Sequence, residues 1–295
     1  MNIDVLCVGH ASYDLIFSID HHPKVDEKIS ATGFVGMGGG PAANAAITVA
    51  KLGFKAAYAG YLGLDIYGER HYQELLATGV YSDLIVRGNS PTPLSTVLVK
   101  PDGQRALINY KGETKALSAE AIDFSPISAK VFLFDGHEPQ LSTALLESSQ
   151  DKSIVSVLDA GSLHQGTLAL MDKVDYLVCS EKFAIQYAGT IETALQRLAE
   201  ASPNVVITLG ENGLIWTRGQ EQGALSAFSV NCVDSTGAGD AFHGAFAAAL
   251  CTEMSWLDIL RYASAAGAWC CTKLGARTSL PNNKDIQLLF KSAKA

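Results

Sequence analysis

The sequence lacks the spacings that would turn its cysteines into a metal site or a disulfide framework. Cys7, Cys179, Cys232, Cys251, Cys270 and Cys271 contain no Cys-x-x-Cys pair, and the last two are adjacent. Buried free thiols in a reducing compartment are the expectation. Basic charge is scarce as well: 22 lysines and arginines against 30 acids leave a net charge of −8. That balance argues against nucleic acid as the main partner, although local donors can still bind phosphorylated ligands inside an acidic protein. No apolar stretch reaches membrane-spanning length. Met1-Asn2-Ile3-Asp4 leads into a strand-like run and not into a basic leader, so a cytoplasmic protein with no membrane partner is expected. Gly-x-x-x-x-Gly-Lys-Ser/Thr does not occur, which excludes a P-loop enzyme. The glycine-rich residues 36–40 have no matching acid about 20 residues downstream, which disfavours a dinucleotide fold. Internal repeats and low-complexity tracts are also missing.

What the chain does have is 48% hydrophobic content over 295 residues, with an ordinary 18% of charged residues. That supports one large folded α/β domain with a real core. Val5-Leu6-Cys7-Val8-Gly9 reads as a buried strand, and residues 15–19 as a second. Residues 41–53 are alanine-rich, open on Pro41 and stop at Gly53, as a helix does. The glycines just before them, 36–40, read as a flexible loop. Residues 56–60 read as a strand and 65–79 as a helix closed by Gly79. Residues 94–100 and 105–110 flank Pro101-Asp102-Gly103-Gln104 as a β-hairpin. From there, strands at 131–135, 154–159, 176–179 and 205–209 alternate with helices such as 141–150 and 191–201. Strands at 214–218 and 227–233 and helices at 240–251 and 256–273 follow. Such alternation implies a mainly parallel sheet covered on both faces. Residues 14–35 and 92–111 are extended without crossover helices. They are expected to form a small projecting sheet, a lid on a core made of 1–13, 36–91 and 112–295.

The stretch richest in chemistry is 234–243, Asp-Ser-Thr-Gly-Ala-Gly-Asp-Ala-Phe-His, which runs into an alanine-rich helix. A glycine turn at a helix start leaves backbone N–H groups of Gly237, Ala238 and Gly239 available to an anion, aided by the helix dipole. Asp240 stands one step inside. Anion donors beside a carboxylate suit phosphoryl transfer: the donors neutralise charge on the phosphoryl group while the carboxylate takes a proton from the attacking hydroxyl. Taken alone, this turn is equally a plain helix start with an acid at its positive end.

Paired with Gly39-Gly40-Pro41-Ala42-Ala43-Asn44, it resembles the two signatures of the ribokinase/PfkB family of sugar and nucleoside kinases, and the resemblance covers essentially the whole chain. It implies a ribokinase-like three-layer αβα sandwich with a mainly parallel central sheet and a small β-sheet lid. It also implies ATP with Mg2+, sometimes K+, and a small-molecule sugar. Asp240 matches the family's catalytic base, and Gly237, Ala238 and Gly239 its anion hole. Asp14, Gly39, Gly40 and Asn44 match positions around the sugar hydroxyls, where a carboxylate, an amide and open backbone suit a polyol. Ser180, Thr208, Gly210, Gly213 and Gly275 match the nucleotide side. Asp234 and Ser279 match a monovalent-cation loop. The family's Asn-x-x-Glu is replaced here by Ser180-Glu181-Lys182-Phe183, so Phe183 stands at the usual Glu position and Glu181 becomes the candidate for magnesium.

The expected reaction is ATP-dependent phosphorylation of a primary hydroxyl, most simply of a ketose. The segments 38–43, 108–110, 179–181 and 240–244 look most like the sulfofructose kinase and ketohexokinase side of the family. Lys28 and Asn109 lie where sulfofructose kinases place anion-binding residues, but those enzymes carry an Arg near His137, and a His is a weaker anion clamp. A 6-deoxy-6-sulfofructose kinase, a ribokinase and a nucleoside kinase are the enzyme alternatives, and a sugar or nucleotide sensor on the same fold is the alternative without catalysis. A homodimer through the exposed lid strands is expected.

Overall fold

The computed structural model describes residues 1–149 and 153–292. The chain begins with β1 (Asn2–Val8), β2 (Ser12–Ser18), β3 (Gly33–Gly39), α1 (Pro41–Lys51), β4 (Ala56–Gly63), α2 (Ile66–Ala77) and β5 (Ile85–Gly88). The hairpin β6 (Leu94–Val99) and β7 (Arg105–Tyr110) comes next. Then β8 (Ser128–Phe134), α3 (Pro139–Ser148), β9 (Val155–Ala160), α4 (Gln165–Leu170), β10 (Tyr176–Ser180), α5 (Glu181–Ala188), α6 (Ile191–Ala201) and β11 (Asn204–Thr208) alternate. The hairpin β12 (Leu214–Arg218) and β13 (Glu221–Leu225) precedes α7 (Ala238–Leu250), α8 (Trp256–Cys270), α9 (Ala276–Ser279) and α10 (Asn283–Ser292). The helix read at 141–150 ends on a residue outside the described ones.

Nine strands form one sheet in the order β13-β12-β11-β10-β9-β8-β1-β4-β5. All neighbours from β11 to β5 run parallel; β12 and β13 close the far edge antiparallel. Alternate side chains of β1 enter different cores, as the twofold period of a strand requires. Val5 and Cys7 pack with α1, α7 and α8, whereas Leu6 and Val8 pack with α3, α4, α5 and α6. The sheet is thus the middle of three layers, buried on both faces as a parallel sheet must be.

Four strands form a second sheet in the order β3-β2-β6-β7. Here the structure corrects the reading of 36–40 as a flexible loop: Gly36, Met37, Gly38 and Gly39 pair antiparallel with Leu15, Asp14, Tyr13 and Ser12. Glycine weakens a strand, yet these glycines are needed because other side chains occupy the space above them. A Cβ at Gly36 would lie 3.1 Å from the Tyr13 ring, and one at Gly38 would lie 2.5 Å from His71. The strand read at 227–233 is absent. The partner of β12 is instead β13, whose Glu221-Gln222-Gly223 opening has no apolar alternation to announce it and returns through Gly219 at φ 59°.

Helices α1 and α7 meet closely because Gly244 has no side chain: a Cβ there would lie 2.6 Å from the Ala45 carbonyl oxygen and 2.8 Å from Thr48. That contact brings the two N-terminal turns, with Asn44 and Asp240, side by side. Parallel strands end on a common edge, where open α/β sheets bind ligands. His10, Asp135, Asp159, Ser180 and Thr208 stand at those ends, following or closing β1, β8, β9, β10 and β11.

Candidate active site

Gly237 begins α7 in the left-handed region, φ 80° and ψ 0°. A Cβ there would lie 2.4 Å from that of Ala276, so glycine answers both the backbone and the packing. The turn offers fewer free donors than its sequence suggests. The Ala238 N–H donates to the Ser235 carbonyl at 3.2 Å, which leaves the first-turn N–H groups of Gly239 and Asp240 without partners within the helix. Asp240 accepts from Asn44 Nδ2 through Oδ2 at 2.6 Å. Asn44 Oδ1 remains buried and unpartnered, a free acceptor on the residue that steers Asp240. Burial pushes the Asp240 carboxyl above its ordinary value, while the Asn44 hydrogen bond opposes that rise. Behind it, His243 Nδ1 lies 2.6 Å from the Gly239 carbonyl and 3.2 Å from Asp159 Oδ2, and Nε2 lies 3.2 Å from the Val178 carbonyl. This imidazole ties the first turn of α7 to the ends of β9 and β10.

Asp14 faces the same region from β2. Its Oδ1 accepts from Ser12 Oγ at 2.9 Å. Burial raises its pKa to about 6 against the opposing Ser12 hydrogen bond, and the neighbouring Asp240 charge adds to the rise. Gly39 makes room for this carboxylate, since a Cβ would fall 2.2 Å from Asp14 Oδ2. Gly40, at φ 93°, caps α1 where a Cβ would meet Ala11 Cα and the His10 carbonyl at 2.6 Å. The register sets Met37, Asp14, Ser95 and Asn109 in one row across the small sheet. Asn109 is therefore on the face of Asp14 but exposed at the sheet edge. Lys28 is exposed in the connection between β2 and β3, and the structure does not bring it into contact with the other predicted residues.

No local motif marks Asp135, yet it is the hub of this end of the molecule. Its carboxylate accepts the N–H groups of His10 at 2.7 Å, His137 at 2.9 Å and Ala42 at 3.2 Å. One side chain thereby joins the ends of β1 and β8 to the start of α1. It needs Gly9, because a Cβ there would lie 2.0 Å from Asp135 Oδ1. Above it, His137 packs between His10, ring centroids 5.1 Å apart, and His164, stacked at 4.8 Å. Burial, followed by the nearby His137 and Lys111, holds His10 and His164 below the usual imidazole range.

On the far side of Asp240, Ser180 and Thr208 are register partners at the ends of β10 and β11. Ser180 Oγ is committed locally: it accepts from the Phe183 N–H at 3.0 Å and donates to the Gly161 carbonyl at 2.9 Å, capping α5. Phe183 is fully buried in the second core, and Glu181 is exposed on the first turn of α5. Glu181 shares a groove of about 500 Å³ with Leu209 and Asn212. Gly210 and Gly213 turn the chain at φ 59° and 87°; at Gly213 a Cβ would strike the Leu225 carbonyl at 2.0 Å, whereas Gly210 has open space.

Asp234 is buried and accepts three protein hydrogen bonds. Oδ1 accepts from the Thr236 N–H at 2.9 Å and Thr236 Oγ1 at 2.7 Å, and Oδ2 accepts from the Gly275 N–H at 2.8 Å. Ser279 Oγ donates to the Gly275 carbonyl at 2.8 Å. Two arginines that the sequence did not announce reach these loops. Arg105, on the Asp14 face of the small sheet, donates through Nη1 to Thr236 Oγ1 at 2.6 Å. Arg277, on α9, donates through Nε to the Gly38 carbonyl at 2.8 Å. Both contacts span more than 130 residues of chain, which no local spacing reveals.

Comparison with known proteins agrees with this fold. A family model described as pfkB family carbohydrate kinase matches residues 2–283. The Arabidopsis thaliana protein named "Probable fructokinase-4" is 29% identical over 92% of this chain and 94% of its own length. Among solved structures, ribokinase from Thermotoga maritima superposes with a TM-score of 0.85 at 27% identity, covering 98% of this chain and 99% of that one. Arabidopsis thaliana ribokinase complexed with ribose and ATP gives a TM-score of 0.83 at 27% identity over 99% of both chains.

Proposed function

The chain belongs to the pfkB family of carbohydrate kinases, ATP-dependent sugar kinases, and from that premise we propose that it phosphorylates a primary hydroxyl of a ketose with Asp240 as the base. The observation that carries this reading is the 2.6 Å hydrogen bond from Asn44 to Asp240 at the N-terminus of α7. It holds an ionisable carboxylate beside free helix-start N–H groups, on the edge where Asp14 and the backbone of Gly39 and Gly40 present polyol partners. In this mechanism Asp14 accepts hydrogen bonds from two acceptor hydroxyls and Asn44 Oδ1 accepts another. Asp240 takes the proton of the attacking primary hydroxyl as the phosphoryl group moves in line. The Gly239 and Asp240 N–H groups hold the phosphoryl oxygens, and Arg105 closes over them with the lid. Positioning and electrostatics supply most of the rate.

Magnesium bound to ATP would neutralise charge on the phosphate oxygens. The described residues contain no cluster of three His, Cys, Asp or Glu side chains fit to cage a metal, so the ion's main ligands would be the nucleotide and water, with Glu181 the candidate acid on the nucleotide side. The neutral imidazoles of His10 and His164 beside His137 favour hydroxyls over a sulfonate, since an uncharged ring supplies single hydrogen bonds and no countercharge. A homodimer is part of the same reading. The outer face of the lid carries Leu15, Phe17, Phe34 and Ile108, with Phe34 61% and Ile108 64% exposed, apolar surface that a second copy would cover.

A thermal-shift screen with the β,γ-imido analogue of ATP tests the acceptor. Fructose and related ketoses should raise Tm more than ribose, adenosine or 6-deoxy-6-sulfofructose. A shift confined to adenosine or to the sulfonated sugar would overturn the ketose reading.

The pH profile should follow the two carboxylates. Both have raised pKa values, so each is active above that value and lost as pH falls through it. Acceptor KM should rise below about pH 6 as Asp14 protonates, and kcat should fall along an acid limb set by Asp240. Asn44→Ala removes the hydrogen bond that restrains the Asp240 pKa and should move that limb to higher pH. A kcat profile whose acid limb stays in place would contradict the assignment.

A further inference from the structure

Both backbone polar groups of Gly38 are held by buried or half-buried side chains. Its N–H donates to Glu74 Oε2 at 2.9 Å, and its carbonyl accepts from Arg277 Nε at 2.8 Å. Arg277 Nη2 lies 2.5 Å from His71 Nε2. A guanidinium only donates, so His71 must be the acceptor there, neutral with its proton on Nδ1. Full burial, followed by the Arg277 charge, keeps this imidazole well below its usual pKa, in agreement with that state. Nη1 of Arg277 is buried without a partner. The charges of Glu74, Asp14 and Asp240 compensate the guanidinium, which ties Arg277 electrostatically to the carboxylates around the acceptor backbone. Gly38 immediately precedes Gly39 and Gly40, the backbone that faces the acceptor.

Arg277 reaches this strand from the other half of the site. It belongs to α9, and its neighbours are locked to the phosphate turn. The Gly275 N–H donates to Asp234, and Ala276 fills the space that a Cβ on Gly237 would need. Gly275 in turn packs on Met37 and Ile16 of the lid sheet, where a Cβ would meet Met37 Cε at 2.8 Å. Lys51, at the end of α1, donates to the carbonyls of Arg277 and Leu280 at 3.3 and 2.9 Å and holds the segment from behind. One short piece of chain, residues 275–279, therefore touches both the turn that begins α7 and the strand that carries the acceptor backbone.

We propose that Arg277 is a positioning residue that couples the two substrate sites, transmitting nucleotide seating on the 275–279 segment to the Gly38–Gly39–Gly40 backbone. The inference rests on the kinase reading for the identity of the ligands but not on which sugar is accepted. Coupling of this kind is reciprocal: whatever factor ATP adds to acceptor affinity, the acceptor adds to ATP affinity. Glu74 accepts the Gly38 N–H and acts on Arg277 through its charge, without a hydrogen bond to α9, so Glu74→Gln, which keeps the acceptor, serves as an internal control.

Hydrogen exchange of the peptide covering residues 33–44 tests this with the nucleotide alone. In the wild-type protein, magnesium and the β,γ-imido analogue of ATP should slow exchange of this peptide several-fold. Arg277→Met should bind the analogue and lose most of that response, whereas Glu74→Gln should raise basal exchange and keep the response. Arg277→Lys, which offers a single point donor in place of the fork, should fall between, and it decides the matter by the same measurement should Arg277→Met fail to fold. An unchanged response in the arginine variants, equal loss in Glu74→Gln, or no response in the wild type would overturn the proposal. Turnover of sugars by the wild-type protein is read separately, so failure of the coupling and failure of the kinase reading give different results.

Discussion

Asp240→Asn is expected to lower kcat by about 10³-fold, within the range that a positioned general base contributes, while leaving ATP binding nearly intact. That loss corresponds to about 4 kcal/mol of barrier. The substitution keeps the size of the side chain, and its amide oxygen can still accept from Asn44 Nδ2, the partner seen at 2.6 Å. The Gly239 and Asp240 backbone donors are untouched. What disappears is the ability to take the acceptor's proton. Steady-state kinetics with a coupled ADP assay, together with calorimetric titration of the ATP analogue, separate the two effects. Turnover within about tenfold of wild type would rule out Asp240 as the base, given what such a residue supplies.

Gly39→Ala should produce the largest effect on the acceptor side. The new Cβ would lie 2.2 and 2.3 Å from the two carboxylate oxygens of Asp14, far inside any real contact distance. Either Asp14 leaves its place or β3 moves away from β2, and both remove the carboxylate from the acceptor hydroxyls. Hydrogen bonds to a charged group contribute about 1.5–3 kcal/mol each, so losing one or two should raise acceptor KM by about 10²-fold. Affinity for the ATP analogue should stay the same. Gly239→Ala is the matched control in the other loop: a Cβ there meets nothing within 4 Å, so it tests whether the turn tolerates a side chain where space allows. A KM for the acceptor unchanged by Gly39→Ala would show that Asp14 does not bind it.

Much of this site could be read in the sequence, because it is carried by short motifs. Glycines at 39, 40 and 237 mark backbone that must approach closely or adopt a positive φ, and Asn44 and Asp240 each sit a few residues from them. The α/β order was legible for the same reason, since apolar runs and helical periodicity are local signals. The rest depended on contacts between distant segments. Asp135 bridges His10, Ala42 and His137, and only the second of these bridged groups lies near a motif. Arg105 and Arg277 are ordinary charged residues until the fold carries them to Thr236 and Gly38. The Ser180 hydroxyl caps α5, a local use that its place at a strand end does not reveal. Of the three donors that the Gly237–Gly239 turn suggests, the Ser235 carbonyl takes one. The strand of β3 was hidden because glycines carry no alternating pattern, and β13 because its edge is polar.

The most direct test of the account is phosphorus NMR of fructose incubated with the wild-type protein and magnesium ATP, with Asp240→Asn as the parallel sample. The account predicts a new phosphomonoester signal split into a triplet by two methylene protons, absent or greatly slowed in the variant. A signal coupled to a single proton, equal product from Asp240→Asn, or ATP binding without any sugar phosphate would contradict it.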